Sequence, residues 1–307
     1  MKKALFIGDV NADLIMAGIE RLPEPDREIA CREMRLTIGS PVAIAACAYA
    51  SLGGDAALSG LAGEDQYGDF VLEGLAEFGV DTSPVERTRD VDTGLTLCLI
   101  VDGQRAQVTY PGAIALFDGK QLTEERLRGY AHLHFAGVYL QKSFLPHLTE
   151  VLDRAKRLGI TTSLDPQWDD TERWDGMGAW LPLVSWFFAN EVEACSITGT
   201  DSAEAACRAL SDRTPCPIVK LGARGALIWD GESVQLIPPF RAEIVDTTGA
   251  GDSFAAGTLF ARKELGYSLP DAVRFGNAVG ARCCGFLGGV AARSTCDDIL
   301  AYIKENA

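Results

Sequence analysis

Val245-Asp246-Thr247-Thr248-Gly249-Ala250-Gly251-Asp252-Ser253-Phe254 is the stretch on which the reading of this chain turns. It lies between an apolar strand-like run and an Ala-rich helix pattern, so it packs a turn, a helix start and two carboxylates into ten residues. Glycines at 249 and 251 let the backbone approach a ligand, and the first N–H groups of the following helix have no partner within it. Together with the positive end of the helix dipole, they make a place for an anion. Asp252 falls where that dipole is strongest. Such a carboxylate often does no more than stabilise a helix start, but beside a bound phosphate and a substrate hydroxyl it is a candidate proton acceptor. The flanking glycines favour the second role.

Outward from this stretch, strand and helix patterns alternate. Strands read at 131–136, 160–164, 184–189 and 217–221, with helices at 143–158, 191–197 and 202–212. Short β segments at 225–229 and 232–237 lead into the glycine stretch, and helices at about 250–265, 270–286 and 295–304 close the chain. Repeated strand then helix predicts an α/β fold whose mainly parallel sheet is covered on both faces. Toward the N-terminus, Ala4 to Ile7 reads as a buried strand. Asp9, Asn11 and Asp13 then stand at its carboxyl end, the edge where open α/β sheets bind ligands. Ser40 caps and Pro41 opens an Ala-rich helix running to Leu52. Residues 56–61 and 68–78 read as a further βα unit. Two segments leave the core: 14–37, with β-like pieces at 28–32 and 34–37, and a hairpin of 93–101 and 105–110 around Asp102-Gly103-Gln104. We expect them to form one small sheet, a lid at about 14–37 and 93–112 on a single domain spanning 1–307.

Composition narrows the function. A length of 307 residues with 47% hydrophobic content supports a large core. The net charge of −15, from 43 acidic against 28 basic residues, argues against nucleic-acid partners. Nine cysteines without a Cys-x-x-Cys pair suggest neither a disulfide framework nor a zinc site, which points to the reducing cytoplasm. The first residues turn acidic too early for a signal peptide, and no run reaches about 18 apolar residues, so a membrane anchor is not expected. His132 and His134 share one face of a strand with no third ligand near, and read as satisfied polar residues rather than metal ligands. Trp168, Trp174, Trp180 and Trp186 read as packing rather than as a base-stacking platform.

There is no P-loop, and Gly249-x-Gly251-x-x-Phe254 lacks the third glycine of a dinucleotide fingerprint. Asp-Thr-Thr-Gly-Ala-Gly-Asp-Ser-Phe, residues 246–254, instead resembles the signature of the ribokinase-like (PfkB) family of sugar and nucleoside kinases. The resemblance runs in family order along nearly the whole chain: Gly8-Asp9-x-Asn11-x-Asp13, Gly63-Glu64-Asp65-x-x-Gly68 with Gly79-Val80-Asp81-Thr82, Asn190-x-x-Glu193, and Lys220-Leu221-Gly222-Ala223-Arg224-Gly225. It implies a ribokinase-like three-layer α/β domain with a small β-sheet lid. It also implies an anion hole at Gly249, Ala250 and Gly251, with Asp252 as the base. The resemblance assigns substrate binding to Asp9, Asn11 and Asp13, and nucleotide binding to Asn190, Lys220, Gly222, Gly225 and Asn277. Mg²⁺ would be held through water near Glu193, and a monovalent cation such as K⁺ near Asp246 and Thr248. On the residues alone, Lys220 reads equally as a snorkelling surface lysine, and Asp165 equally as a turn residue or a substrate contact.

The chain departs from the family where a Gly-Gly-x-x-x-Asn motif usually opens the first helix. Ile38, Gly39 and Ala43 occupy the matching positions, so Gly39 and Ser40 remain on the substrate side and the sugar-binding asparagine is absent. Ribose or fructose specificity therefore does not carry over. The expected activity is ATP-dependent phosphorylation of a hydroxymethyl group of a small sugar or sugar derivative. A nucleoside kinase on the same fold and a catalytically silent sugar-binding sensor are the alternatives. A phosphorylated acceptor is a further option, for which Arg27, Arg35 or Arg105 would supply positive charge. Exposed lid edges suggest a homodimer.

Overall fold

Ala4 to Ile7 is buried along its whole length, as a strand covered on both faces must be, and the rest of the sheet is built around it. A computed structural model describes residues 3–101 and 104–306. In chain order its strands are β1 (Lys3–Ile7), β2 (Asn11–Ile19), β3 (Glu33–Ile38), β4 (Ala56–Ser59), β5 (Leu61–Gly63), β6 (Glu86–Thr88), β7 (Gly94–Val101) and β8 (Gln104–Tyr110). They continue with β9 (Tyr130–Ala136), β10 (Thr161–Asp165), β11 (Trp186–Asn190), β12 (Pro217–Lys220), β13 (Ala226–Trp229) and β14 (Val234–Ile237). The central sheet has the order β14-β13-β12-β11-β10-β9-β1-β4. It is parallel from β4 to β12 and closes with an antiparallel meander over β12, β13 and β14.

Strand alternation divides the core between two faces. Phe6, Phe188 and Ile218 pack with the Pro41–Ser51, Ala250–Lys263 and Leu269–Cys283 helices. Leu5, Ile7, Phe135 and Phe187 pack with the Leu148–Arg157 and Ala203–Ser211 helices. The result is helix, sheet, helix in three layers. Small residues set the spacing: Gly257 and Gly276 lie where a Cβ would meet Val279 and Thr258 side chains at 2.6 and 2.1 Å, so the last two long helices approach closely.

The two excursions form one four-stranded sheet of order β3-β2-β7-β8, with β2 parallel to β7. Within it the strand boundaries differ from expectation. Residues 28–32 form no strand, and β2 begins at Asn11. Asn11 and Asp13 therefore belong to the lid sheet rather than to the end of β1, because Asn11 pairs with β7 and Asp13 with both β3 and β7. Leu61 leaves the central sheet and pairs in β5 with β6. Asp102 and Gly103 of the expected hairpin turn lie outside the described residues.

His132 and His134 are buried, and their ring nitrogens lie 2.7–2.9 Å from the Thr161 and Ser163 hydroxyls. Burial drives both toward the neutral form, His134 down to about 3. All nine cysteines are free. No described helix is long and apolar enough to cross a membrane.

Candidate active site

The Ala250–Lys263 helix begins at Gly249, whose φ of 74° is left-handed. A Cβ there would lie 2.7 Å from Gly289 Cα and 2.9 Å from Ile44 Cγ2, so the turn admits only glycine. Asp246 folds the approach: its Oδ1 accepts from the Thr248 N–H at 2.9 Å and hydroxyl at 2.7 Å, and its Oδ2 from the Gly288 N–H at 2.9 Å. Among the described residues no carbonyl or side chain takes the N–H of Gly251 or Asp252, which leaves the helix start free to receive an anion.

This loop is the shared wall of two cavities. On one side Thr248, Gly249 and Asp252 line a cavity of about 280 Å³, roofed by the lid residues Asn11, Asp13, Thr96 and Arg105. On the other side Thr247, Ala250 and Gly251 line a more apolar cleft of about 570 Å³, bounded by Lys220, Gly222, Gly225, Phe240 and Asn277. Successive residues of one turn thus face different chambers. The smaller is polar, the larger apolar with a cationic end.

In the smaller cavity, Asn11 Nδ2 donates to Asp13 Oδ1 at 2.8 Å and to Thr96 Oγ1 at 3.0 Å. Gly39 makes this possible: its absent Cβ would stand 2.1 Å from Asp13 Oδ1. Ser40 donates to the Asp9 carbonyl at 2.8 Å and accepts from Ala43 N–H, fixing the helix against the β1–β2 connection. Asp9 Oδ1 and Asn11 Oδ1 are buried without a partner. Unfilled acceptors are costly, and hydroxyl donors of a bound polyol would satisfy them. Burial pushes the Asp9 carboxyl up to about 7 and Asp13 up to about 6, the latter against the pull of the Arg105 guanidinium. Asp252 is pushed up to about 8 by burial and by Asp165, opposed by Lys220. A proton acceptor near the working pH is suited to general-base chemistry.

Lys220 is not a snorkelling surface residue. Its ammonium pairs with Asp165, whose side chain is 1% exposed. Burial opposes the Lys220 charge, yet Asp165, Glu193 and Asp252 around it hold its pKa above the ordinary lysine value. Asp165 consequently faces Lys220 and does not line the smaller cavity; Pro166 and Gln167 do. Asn190 and Glu193 form a reciprocal capping box, with Asn190 Oδ1 accepting from Glu193 N–H at 2.9 Å and Glu193 Oε2 from Asn190 N–H at 2.8 Å. Neither lines the larger cleft. Burial, with repulsion from Asp165, raises the Glu193 pKa. Asn277 donates to the carbonyls of Ile237 and Pro238 and stays in the cleft wall.

No group of three or more His, Cys, Asp or Glu among the described residues converges on one point. Glu193, which has one carboxylate oxygen outside the capping box and lies near Lys220, is the carboxylate that would hold the water shell of a Mg²⁺ ion on the nucleotide phosphates, where the ion would neutralise charge. K⁺ beside Asp246 fits poorly. Asp246 Oδ1 already takes two donors from Thr248 and Oδ2 one from the Gly288 segment, and the Cys283 thiol is directed at the Thr248 carbonyl at 3.4 Å.

Several wall residues carried no signal in the sequence. Gln167, Gln107, Thr96 and Thr109 sit on segments whose composition marks only strand or turn. Trp174 and Trp180 are packing residues, but Trp168 is 44% exposed and opens onto the smaller cavity. Ala43 is fully buried against the core and does not reach the cavity.

Residues 1–295 match the pfkB family carbohydrate kinase description, and the chain belongs to that family. It is 31% identical over 310 residues, 99% of both chains, to the ATP-dependent ribose-1-phosphate kinase of Halopiger xanaduensis. It is 32% identical over 250 residues, 77% of both chains, to the 2-dehydro-3-deoxygluconokinase of Bacillus subtilis. The structure of Arabidopsis thaliana ribokinase complexed with ribose and ATP superimposes with a TM-score of 0.82 at 25% identity, over 99% of both chains.

Proposed function

We propose that this pfkB-family carbohydrate kinase transfers the γ-phosphoryl group of ATP to a hydroxymethyl group of a small sugar or sugar derivative. In this reading Asp252 is the general base and Gly249–Gly251 form the anion hole. The observation that carries it is the two-sided loop, with Asp252 in a polar chamber and Gly251 beside Lys220 in an apolar one. That arrangement suits an in-line transfer from a nucleotide on one side to a hydroxyl on the other. Asp252 takes the hydroxyl proton as the oxygen–phosphorus bond forms. The bond from the γ-phosphorus to the bridging oxygen breaks, and ADP leaves. The N–H groups at the helix start and the Lys220 ammonium face the charge that builds on the phosphoryl oxygens. Mg²⁺ when bound neutralises charge across the nucleotide phosphates, and Glu193 is the residue to hold its water shell.

Asp9, Asn11 and Asp13 take acceptor hydroxyls, and closure of the lid excludes water that would otherwise hydrolyse ATP. A second reading of the acceptor is favoured by Arg105. This lid arginine lines the cavity, donates to Thr248 Oγ1 at 2.9 Å and forms no carboxylate ion pair among the described residues, so its remaining N–H groups suit an anionic substituent. Arg27 is paired with Glu24 and Arg35 with the Leu287 carbonyl, which leaves Arg105 as the anion anchor of the three. Both curated relatives described above are named for acceptors that carry such a group, a phosphate or an acid. Pairing of the lid edges β3 and β8, which expose Met34 and Val108, into a homodimer belongs to the same proposal, and sedimentation at micromolar concentration tests it.

The deciding experiment is ADP release across neutral sugars, sugar phosphates, sugar acids and nucleosides, with Asp252→Asn alongside. We expect turnover with one of these classes and a fall of about 10²–10⁴-fold in the variant, with nucleotide affinity nearly unchanged. Retained turnover in the variant removes Asp252 from the chemistry. ADP release with no acceptor class would favour the silent sensor.

A further inference from the structure

Gln167 follows Asp165-Pro166 at the end of β10 and holds φ at +60°, a left-handed conformation unusual for a residue other than glycine. Such backbone persists where the surroundings enforce it, and it clusters at functional sites. What the backbone achieves here is placement. The Gln167 side-chain nitrogen lies 3.1 Å from Asp252 Oδ1 and 3.5 Å from Asp165 Oδ1, and so bridges two carboxylates separated by 87 positions, 252 minus 165. The orientation of the amide follows from chemistry, because the reversed amide would set its oxygen against two acceptors. Gln167 also lines the cavity on the Asp252 side of the loop.

We infer that Gln167 is a positioning residue for the transfer: its amide occupies Asp252 Oδ1, fixes the carboxylate in one orientation and leaves Oδ2 to receive the hydroxyl proton. The inference rests on the role given to Asp252 in the preceding section. The groups facing Asp252 are Asp165 on β10, Lys220 on β12, Asp9 after β1, Arg105 on β8 and the thiol of Cys283 on the Leu269–Cys283 helix. Two of these are cations, and both also stand where a transferring phosphoryl group would attract them. A neutral amide differs in kind. It favours the ionised carboxylate by a hydrogen bond without offering a charge that the γ-phosphate would capture. It also donates toward Asp165, whose repulsion favours protonation of Asp252.

The test uses two variants of the full chain. Gln167→Asn keeps a residue type that tolerates φ near +60° but withdraws the amide by one methylene, and Gln167→Met keeps the length and removes the donor. The acid limb of kcat/KM against pH is measured for each. The titration of Asp252 is followed separately by ¹³C NMR of protein labelled at the aspartate side-chain carboxyls, the resonance identified by its loss in Asp252→Asn. We expect both the kinetic limb and the NMR midpoint to move up by about one pH unit in both variants. That is roughly a tenfold loss of kcat/KM below the limb, with the plateau above it within about threefold of wild type and KM for ATP unchanged. An unmoved NMR midpoint overturns the inference whatever happens to turnover. A lowered plateau with an unmoved limb also overturns it, and assigns Gln167 to substrate contact or scaffold. If wild type turns over no acceptor, the kinase reading fails, and the NMR midpoint still decides whether Gln167 tunes Asp252.

Discussion

Replacing Lys220 by methionine should strand a buried cluster of carboxylates, and the structure sets the size of the effect. The Lys220 side chain is 13% exposed and that of its partner Asp165 1%. Glu193 and Asp252 also act on the Lys220 charge. Methionine matches the length of the lysine stem, so little packing is lost and the cost is mainly electrostatic. Removing one partner of a buried pair costs about 3–5 kcal/mol, because the other charge remains desolvated and unpaired. At about 2.1 cal/mol/K of unfolding entropy per residue, a chain of this length has about 0.6 kcal/mol/K, so the melting temperature should fall by about 5–8 °C. The deficit should shrink at lower pH, where the stranded carboxylates take up protons, and Asp165→Asn in the same background should recover more than half of it. Differential scanning calorimetry without nucleotide, at pH 8 and pH 5.5, provides the measurement. A melting temperature within about 1 °C of wild type, or a double variant whose losses simply add, would refute the account of Lys220 as the neutralising centre of this cluster.

Gly251→Ala and Gly249→Ala should separate function from folding. The Cβ at 251 meets only the flexible end of Lys220, at 3.3 Å, so the fold should hold while KM for ATP rises about tenfold; the Cβ at 249 meets the Gly289 backbone, so its melting temperature should drop by several degrees. Asp9 has a folded pKa of about 7 against an ordinary value of 3.8, so its contribution to stability is lost as pH rises between those values. Asp9→Asn should therefore gain on wild type by about 3 kcal/mol, or about 5 °C, between pH 5 and pH 8; a melting-temperature difference independent of pH would count against the burial of that carboxylate. Because the Asp246 carboxylate already accepts three hydrogen bonds, two from Thr248 and one from Gly288, initial rates in K⁺ and in a non-coordinating organic cation should agree within about twofold.

The order of strands and helices was legible because each segment carries its own periodicity, from the apolar run at Ala4–Ile7 to the Ser-capped, Ala-rich helix after Ser40. The anion-binding turn was legible for a similar reason: its glycines, its carboxylates and its helix start are neighbours in the chain, so their chemistry is local. Where local pattern and tertiary placement diverge, the sequence was silent. Asn11 and Asp13 read as loop residues after β1, and only pairing with β3 and β7 makes them part of the lid. On the residues alone Lys220 reads equally as a snorkelling surface lysine or a nucleotide contact, and only the approach of β10 and β12 brings Asp165 against it. Gln167 carries no motif, and its meaning comes from an amide meeting a carboxylate 85 residues away. Local hydrogen-bonding and hydrophobic preferences act over a few residues and survive in any linear reading. The partner of a buried charge is chosen by how the sheet brings distant strand ends together, and that choice exists only once the chain has folded.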